Sequence, residues 1–297
     1  SNLSWDNKYL LTATVRYDGT SRFMQEQRWG WFPSFSAGWN IANEAFMEPL
    51  KDVLPQLKLR AGWGLVGNQS SSVQQKLANT ELTWESAEQF NVGVDYGFFN
   101  NKLNGSIDYF LRKTKDMILS RPIPMYAGKQ RPSVNAGTME NKGIEVSVNY
   151  QDNIGDFNYG LGFNITWIKN EVTSLAGGDP IRSGGTGRMG STTRTEEGKE
   201  IAYFYGYKTG GIFKTQEDLD AYVNSTGTPI VGLGNTRPEL GDVKYIDRND
   251  DGKITEADMT YLGSASPQFT GGFNLNLAYK NIDFTMFLNY SLGNEIV

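Results

Sequence analysis

The sequence predicts an all-β protein: an antiparallel transmembrane β-barrel, present in part, with about nine strands and long extracellular loops. Three observations predict it. Apolar and polar residues alternate with a period of two in nine segments of about ten residues each. The connections between these segments alternate between short turns and long loops. Aromatic side chains collect at both ends of the segments.

The first segment is KYLLTATVRY. Tyr9, Leu11, Ala13, Val15 and Tyr17 share one face, and Lys8, Thr12, Thr14 and Arg16 the other, because successive side chains of a strand point to opposite sides. The pattern returns at 31–41, 57–66, 90–98, 103–112, 143–151, 157–168, 269–279 and 282–291. The apolar faces carry no charged residue and are interrupted only by Pro33, Gly105 and Gly271. The opposite faces are rich in Gly, Ser, Thr and Asn, with charges such as Arg16, Arg60, Asp95, Asp108, Arg112 and Glu145. Leu10, Phe32, Phe110, Ile168 and Phe287 fall on the polar side, where some of them could fill gaps in an interior.

Alternation alone fits two folds. In a soluble sandwich the apolar faces meet each other; in a membrane barrel they meet lipid, and the polar faces line a lumen. Segment length separates them. About ten residues suit a tilted strand crossing a bilayer, whereas soluble strands run nearer five or six. Short turns fall at NNK (100–102), DNIGD (152–156) and KN (280–281), with long loops near 67–89, 113–142 and 169–268. Outer-membrane barrels have this asymmetry. The segment 42–56 is the exception, about fifteen residues in a short-turn position. Tyr17, Trp31, Trp63, Phe90, Tyr109, Trp167, Phe269 and Tyr290 lie near the long loops, and Tyr9, Trp39, Phe98, Tyr150, Phe157 and Tyr279 near the short turns. Two such rows match interfacial girdles.

Nine is an odd count, and an open sheet in lipid leaves backbone groups unsatisfied at several kcal/mol each. More strands are therefore expected before Ser1 and after Val297. The opening residues read as the approach to a strand and show no signal-peptide pattern, so the chain is expected to begin inside a longer protein.

Composition narrows the chemistry. With 28 basic and 33 acidic residues the net charge is −5, which argues against nucleic acid as a partner. Histidine and cysteine are both absent. That removes Ser-His-Asp and Cys-His nucleophiles, imidazole and thiolate metal sites, and disulfides. A carboxylate pair could still act in acid–base work, but no pair stands out.

One motif stands apart. In YIDRNDDGKITEAD (245–258), Asp247, Asn249 and Asp251 hold positions one, three and five of an EF-hand-like loop, with Gly252 at the sharp turn. Lys253 offers its backbone carbonyl at seven, Thr255 stands at nine and Asp258 at twelve, where Glu is usual. The spacing predicts a structural Ca²⁺ site; the alternative is an Asp/Asn/Gly-rich turn that binds nothing. No helix pair flanks the loop, so it is not a calcium sensor. GTGRMG (185–190) satisfies G-x-G-x-x-G but neither follows a strand nor opens a helix, and reads as loop. TQEDLDAYVN (215–224) predicts a short capped helix. The aromatic run YFYGY (203–207) has two readings, stacking on sugar rings or packing of the loop against the barrel rim.

The chain resembles the SusC/RagA-like branch of TonB-dependent outer-membrane transporters. The resemblance is carried, in order, by YLLTATVRYDGTSRF (9–23), RWGWFPSFSAGWNIANEAFM (28–47), LKLRAGWGLVGNQ (57–69), LTWESAEQFNVGVDYGFFNNKLNGSIDYFLRKTKDMIL (82–119), NAGTMENKGIEVSVNY (135–150), IAYFYGYKTGGIF (201–213), GDVKYIDRNDDGKIT (241–255) and GNEI (293–296). It implies that 1–297 is the C-terminal part of a 22-stranded barrel in the outer membrane of a Gram-negative bacterium, with 169–268 as a long extracellular loop. It implies import of oligosaccharides or peptides, powered through TonB, beneath a SusD-like surface lipoprotein lid. The family's plug and TonB box are missing from these residues, and no catalytic residue carries over: the family does no covalent chemistry. A passive porin and a soluble, calcium-stabilised β-rich binding module are the alternatives.

Overall fold

The computed structural model describes residues 2–69, 82–120, 133–185 and 190–296. Its strands begin with β1 (Asn2–Trp5), β2 (Tyr9–Gly19), β3 (Trp29–Asn40), β4 (Gln56–Asn68), β5 (Glu85–Phe98) and β6 (Leu103–Lys115). A small ribbon, β7 (Ile118–Ser120) and β8 (Ser133–Asn135), precedes the long pair β9 (Thr138–Ile154) and β10 (Phe157–Ser174). Then come β11 (Ile181–Ser183), β12 (Thr193–Thr195), β13 (Tyr203–Tyr207), β14 (Thr209–Ile212), β15 (Val243–Tyr245) and β16 (Met259–Gly263). The chain closes with β17 (Phe269–Tyr279) and β18 (Ile282–Leu292).

Two compact units result. The first comprises Ser1–Ile181, Glu196–Ile201 and Pro267–Gly293; the second comprises Arg182–Thr195, Ala202–Ser266 and Asn294–Val297. The first unit is one ten-stranded antiparallel sheet in the order β1-β2-β3-β4-β5-β6-β9-β10-β17-β18. All nine expected segments are strands of this sheet. The tenth, β1, is the stretch expected only as an approach: Asn2–Trp5 pairs with β2 across the three residues 6–8, where Asp6 and Asn7 take φ 52 and 51 and the Lys8 amide donates to the Trp5 carbonyl at 2.9 Å. The two edge strands do not pair with each other among the described residues.

The apolar faces are not pressed against a second sheet. Trp31 is 65% exposed, Val15 58% and Leu288 54%, and the same face exposes Phe35, Val92, Ile107 and Phe163. This rules out the sandwich. Register aligns the aromatics as expected: Trp63 opposes Phe90 and Trp167 opposes Phe269 at one end, while Tyr9 opposes Trp39 and Phe157 opposes Tyr279 at the other.

Several glycines of the sheet are covered by a ring from the neighbouring strand. Gly105 lies opposite Tyr96, whose hydroxyl donates to the Ser147 carbonyl at 3.3 Å. Gly271 lies opposite Tyr290, which donates to the Asn164 carbonyl at 3.0 Å. A side chain at either glycine would overlap the ring, so the gaps in the apolar face are seats for aromatics. On the polar face Phe110 covers Gly143, and Phe32 is buried against Trp84. Those two polar-side exceptions do fill gaps, whereas Phe287 stays 71% exposed.

The strands run longer than the pattern indicated: β9 has 17 residues and β10 has 18. The backbone ladder continues past the aromatic row into the mostly polar residues 138–142 and 169–174, where only Met139 and Val172 are apolar and hydrophobic periodicity carries little signal. β10 thus takes up the first residues of the expected loop 169–268. The segment 42–56 folds into 3₁₀ turns at Ile41–Asn43 and Ala45–Leu50. It is pinned by Glu44, which accepts from the Tyr9 hydroxyl at 2.7 Å and the Trp39 indole at 3.0 Å.

The second unit holds β12, β13 and β16 in one small sheet with β11, a ribbon of β14 and β15, and the helix α1 (Gln216–Asp220). The expected cap of α1 is present: Thr215 Oγ1 accepts from the Asp218 amide while Asp218 accepts from the Thr215 amide. The Lys214 amide, and after it the Thr215 amide, hold the Asp218 carboxyl below its usual range. Phe213, Tyr222, Ile230 and Ile254 form the core of the unit.

Candidate functional site

The polar face of the ten-stranded sheet concentrates its charge on β4, β5 and β6. Arg60 donates through Nε and Nη2 to both oxygens of Asp95 at 2.8 and 2.7 Å, and through Nη2 to Asp108 at 3.0 Å. Such bidentate guanidinium–carboxylate pairing fixes geometry as well as charge. The residue directly opposite Arg60 on β5 is Gly93, and Asp108 lies opposite Gly93 on β6. Arg60 therefore spans two inter-strand gaps, about 9–10 Å, across a position without a side chain. A methyl group at Gly93 would overlap Asp108 Oδ1.

Around this network lies a depression of about 660 Å³. Thr12, Thr14, Arg16, Ser34 and Ser36 line one side, and Gln89 and Asn91 another, over a floor with Gly62, Gly64 and Gly93. Arg16 is neutralised by Asp18. From β9 to β18 the same face is mostly amides and hydroxyls, such as Asn149, Asn164, Thr166, Asn274, Asn276, Thr285 and Asn289, with the charges Glu145 and Asp283 among them. Thr285 donates to Asn276 at 3.1 Å. The wall offers many donors and acceptors. The two carboxylates it brings together, Asp95 and Asp108, are both tied to one guanidinium and do not form a free acid–base couple. The six charged residues of this face noted in the sequence were legible singly; the meeting of Arg60 with Asp95 and Asp108 depends on register.

The EF-hand-like loop lies in the second unit. Asp247 accepts from the amides of Asp250 and Gly252, each at 2.8 Å, and Gly252 takes φ +81, a conformation that glycine adopts without penalty. Asn249 donates to Asp251 at 2.9 Å, and Asp251 accepts from the Lys253 amide at 2.8 Å. These three side chains wrap one turn. Thr255 and Asp258 are engaged by each other and by backbone amides of the loop. They cap the short 3₁₀ turn Glu256–Asp258 reciprocally, and the fully buried Asp258 also accepts from the Arg248 amide at 2.8 Å. Burial pushes the Asp258 carboxyl up, but the amides of Thr255, Arg248 and Asn249 outweigh it and leave it below its usual range. No three acidic side chains are grouped as a metal cage among the described residues. Asp250 instead grips the preceding turn, accepting from the Ser225 amide and hydroxyl, and Val231 ties the loop down by donating to the Gly252 carbonyl at 2.9 Å and accepting from the Ile254 amide at 2.8 Å.

The run YFYGY is β13, paired with β16. Tyr203 is 1% exposed and packs on Tyr261 at 5.1 Å. Tyr205 has the guanidinium groups of Arg194 and Arg182 over its ring at 4.5 and 5.5 Å. These rings are engaged inside the unit and are not a free platform for sugars. Most of GTGRMG (186–189) lies outside the described residues.

Comparison with known proteins agrees with this architecture. Residues 1–281 match the family model described as TonB dependent receptor-like, beta-barrel. The chain is 32% identical to the TonB-dependent receptor SusC of Bacteroides thetaiotaomicron, over 99% of its own length and 31% of the relative's. It is likewise 32% identical to the TonB-dependent receptor P3 of Formosa agariphila, over 100% of its length and 31% of the relative's. The solved structure of the RagAB peptide transporter superposes with a TM-score of 0.77 at 24% identity, covering 98% of this chain and 32% of that one. The chain thus spans about a third of the length of the relatives it matches.

Proposed function

The chain belongs to the TonB-dependent receptor-like β-barrel family of the Gram-negative outer membrane, and on that premise we propose that it forms part of the wall of an energised importer. The observation that carries the reading is the contrast between the two faces of one sheet. One is exposed and apolar across ten strands; the other is polar, with Arg60 tied to both Asp95 and Asp108. A face of that kind suits a hydrated path, because a diffusing solute meets hydrogen-bonding groups without a deep electrostatic trap.

The cargo in this proposal is an oligosaccharide or a peptide, and the partners are TonB and a SusD-like lipoprotein lid. The resemblance to SusC and to a peptide transporter supports these choices. No covalent chemistry is assigned. Uptake of labelled oligosaccharides and peptides by cells producing the whole receptor, with and without TonB, tests the reading. Loss of uptake without TonB is expected; unchanged uptake would favour a passive porin.

We further propose that Asp247, Asn249 and Asp251, with the Lys253 carbonyl, hold a structural Ca²⁺, while Thr255 and Asp258 brace the loop from behind. The shared turn of the three side chains supports this. Calorimetry of the receptor against Asp247→Ala plus Asp251→Ala should show calcium heat only in the parent; equal heats remove the claim.

A further inference from the structure

The long-loop end of β6 places a cation on the polar face. Arg112 lies between Gln89 of β5 and Asn141 of β9. It is exposed, and among the described residues its guanidinium has no ion pair and no hydrogen bond. Arg16 and Arg60 on the same face differ, being held by Asp18 and by Asp95 and Asp108. The carboxylates of the neighbouring strands do not answer Arg112. Glu88 and Glu140 are the cross-strand partners of Lys113, one residue on, and therefore stand on the opposite face. There Glu88 takes Lys115, and Glu140 takes Lys113 and Lys142. On the polar face Asp108 and Glu145 are four residues away along their strands, roughly 14 Å.

The amide beside Arg112 is the second observation. The Ile201 backbone N–H donates to Asn170 Oδ1 at 2.8 Å. A backbone amide only donates, so this bond fixes which end of the Asn170 side chain is oxygen. Asn170 Nδ2 then donates to Asn141 Oδ1 at 2.7 Å, which fixes the Asn141 amide in turn. The group left over is Asn141 Nδ2, a donor with no acceptor among the described residues. Directly opposed residues of a sheet have Cβ atoms about 4.5–5.5 Å apart, so Arg112 and Asn141 can reach one ligand together.

A guanidinium and an amide nitrogen side by side offer donors alone. Their complement is a planar anion. A carboxylate takes the guanidinium fork through both oxygens and has lone pairs left for a further N–H. Arg112 also stands three residues beyond Tyr109 of the aromatic row on the long-loop side. Long loops mark the external side of such barrels, so a solute arriving from outside meets this position early.

We propose that Arg112 and Asn141, with Asn170 as the positioning residue, form a site for a carboxylate carried by the cargo. That acid group is the C-terminus of a peptide or a uronic acid of an oligosaccharide. Gln89, which lines the depression around Arg60, joins the site to that depression. The inference rests on the reading that the polar face is the path of the cargo, but not on TonB coupling.

The test is calorimetry of the whole receptor in detergent with two matched pairs of probes. These are tetraalanine against its C-terminal amide, and trigalacturonate against its methyl ester. In at least one pair the free acid should bind about tenfold tighter or more, and the pair that shows it identifies the source of the carboxylate. Arg112→Gln and Asn141→Asp should each remove most of that preference. Asn141→Asp keeps an oxygen for the bond from Asn170 and puts a second acceptor where the donor was. Asn170→Asp should turn the Asn141 amide round, so that its oxygen faces the site, and lower the preference with Asn141 itself unchanged. Arg112→Lys, which keeps the charge and loses the fork, should lose less than Arg112→Gln, a ranking that general misfolding would not produce. Lys115→Gln, on the opposite face of β6, should bind as the parent does. Equal binding, or none, in both pairs overturns the proposal, and so does a preference that survives Arg112→Gln, Asn141→Asp or Asn170→Asp. Uptake that does not need TonB, with the acid preference intact, would sink only the importer reading. TonB-dependent uptake without any acid preference would sink only this site.

Discussion

Placing one charge on each face of β9 tests the assignment of the faces. Val146 lies on the apolar face between Ile107 and Ile165. It is four residues from Tyr150 in the lower aromatic row and four from Lys142 just beyond the upper one. At about 3.4 Å per residue that is roughly 14 Å along the strand in each direction, or about 10 Å along the membrane normal at a tilt near 40°. Val146 therefore sits near the bilayer midplane, where an arginine facing lipid costs about 2–4 kcal/mol, a factor of about 30 to 900 in the folding equilibrium. Asn149, three residues away on the opposite face, is exposed, and arginine there should cost less than about 0.5 kcal/mol. The assay is guanidinium unfolding of the whole receptor refolded into phosphatidylcholine vesicles, followed by tryptophan emission. Val146→Arg should shift the midpoint strongly and Asn149→Arg hardly at all. Equal shifts, or a larger one for Asn149→Arg, would refute the assignment of the two faces.

Gly93→Ala should displace Asp108 from Arg60 and cost about 1–3 kcal/mol in the same unfolding assay; in an Asp108→Ala background the added penalty should fall below about 0.5 kcal/mol, because the clash has been removed. Phe213, 1% exposed, anchors the core of the second unit. Its replacement by Ala should cost that unit about 3–5 kcal/mol, seen as faster hydrogen exchange in 203–263 with the ten-stranded sheet unchanged. Burial, aided by the charges of Asp247 and Asp258, pushes the Tyr222 phenol up to about 12. Its folded pKa is thus raised above the ordinary value near 10, so its stabilisation is complete below pH 10 and is lost as pH rises from 10 through 12. Exchange in 203–263 should accelerate across that window, and Tyr222→Phe should remove the pH-dependent part while also losing the hydrogen bond to the Tyr245 carbonyl.

Much of the fold was legible because its signal is local. In an extended strand, side chains must alternate sides, so nine strands could be read from residue order alone. The Thr215–Asp218 cap and the Gly252 turn involve residues three to six apart and were equally visible. Short or doubly polar stretches were not. β1 has four residues, too few to show a period, and the outer ends of β9 and β10 lack hydrophobic contrast. The engagement of Thr255 and Asp258 as a reciprocal cap was hidden too, since the same residues satisfy a metal-loop pattern. The YFYGY rings offered no sign of whether they face inward or out; the guanidinium groups over Tyr205 come from β11 and β12.

Residue order by itself determined which side of the sheet is greasy and which is wet, because covalent geometry ties side-chain direction to position parity. Only the tertiary structure decided which polar groups meet. Arg60 finds Asp95 and Asp108 at separations of 35 and 48 residues, and Lys142 comes to face Lys169. Those meetings depend on strand register, which turns and loops set over long stretches of chain and which a shift of one residue would undo.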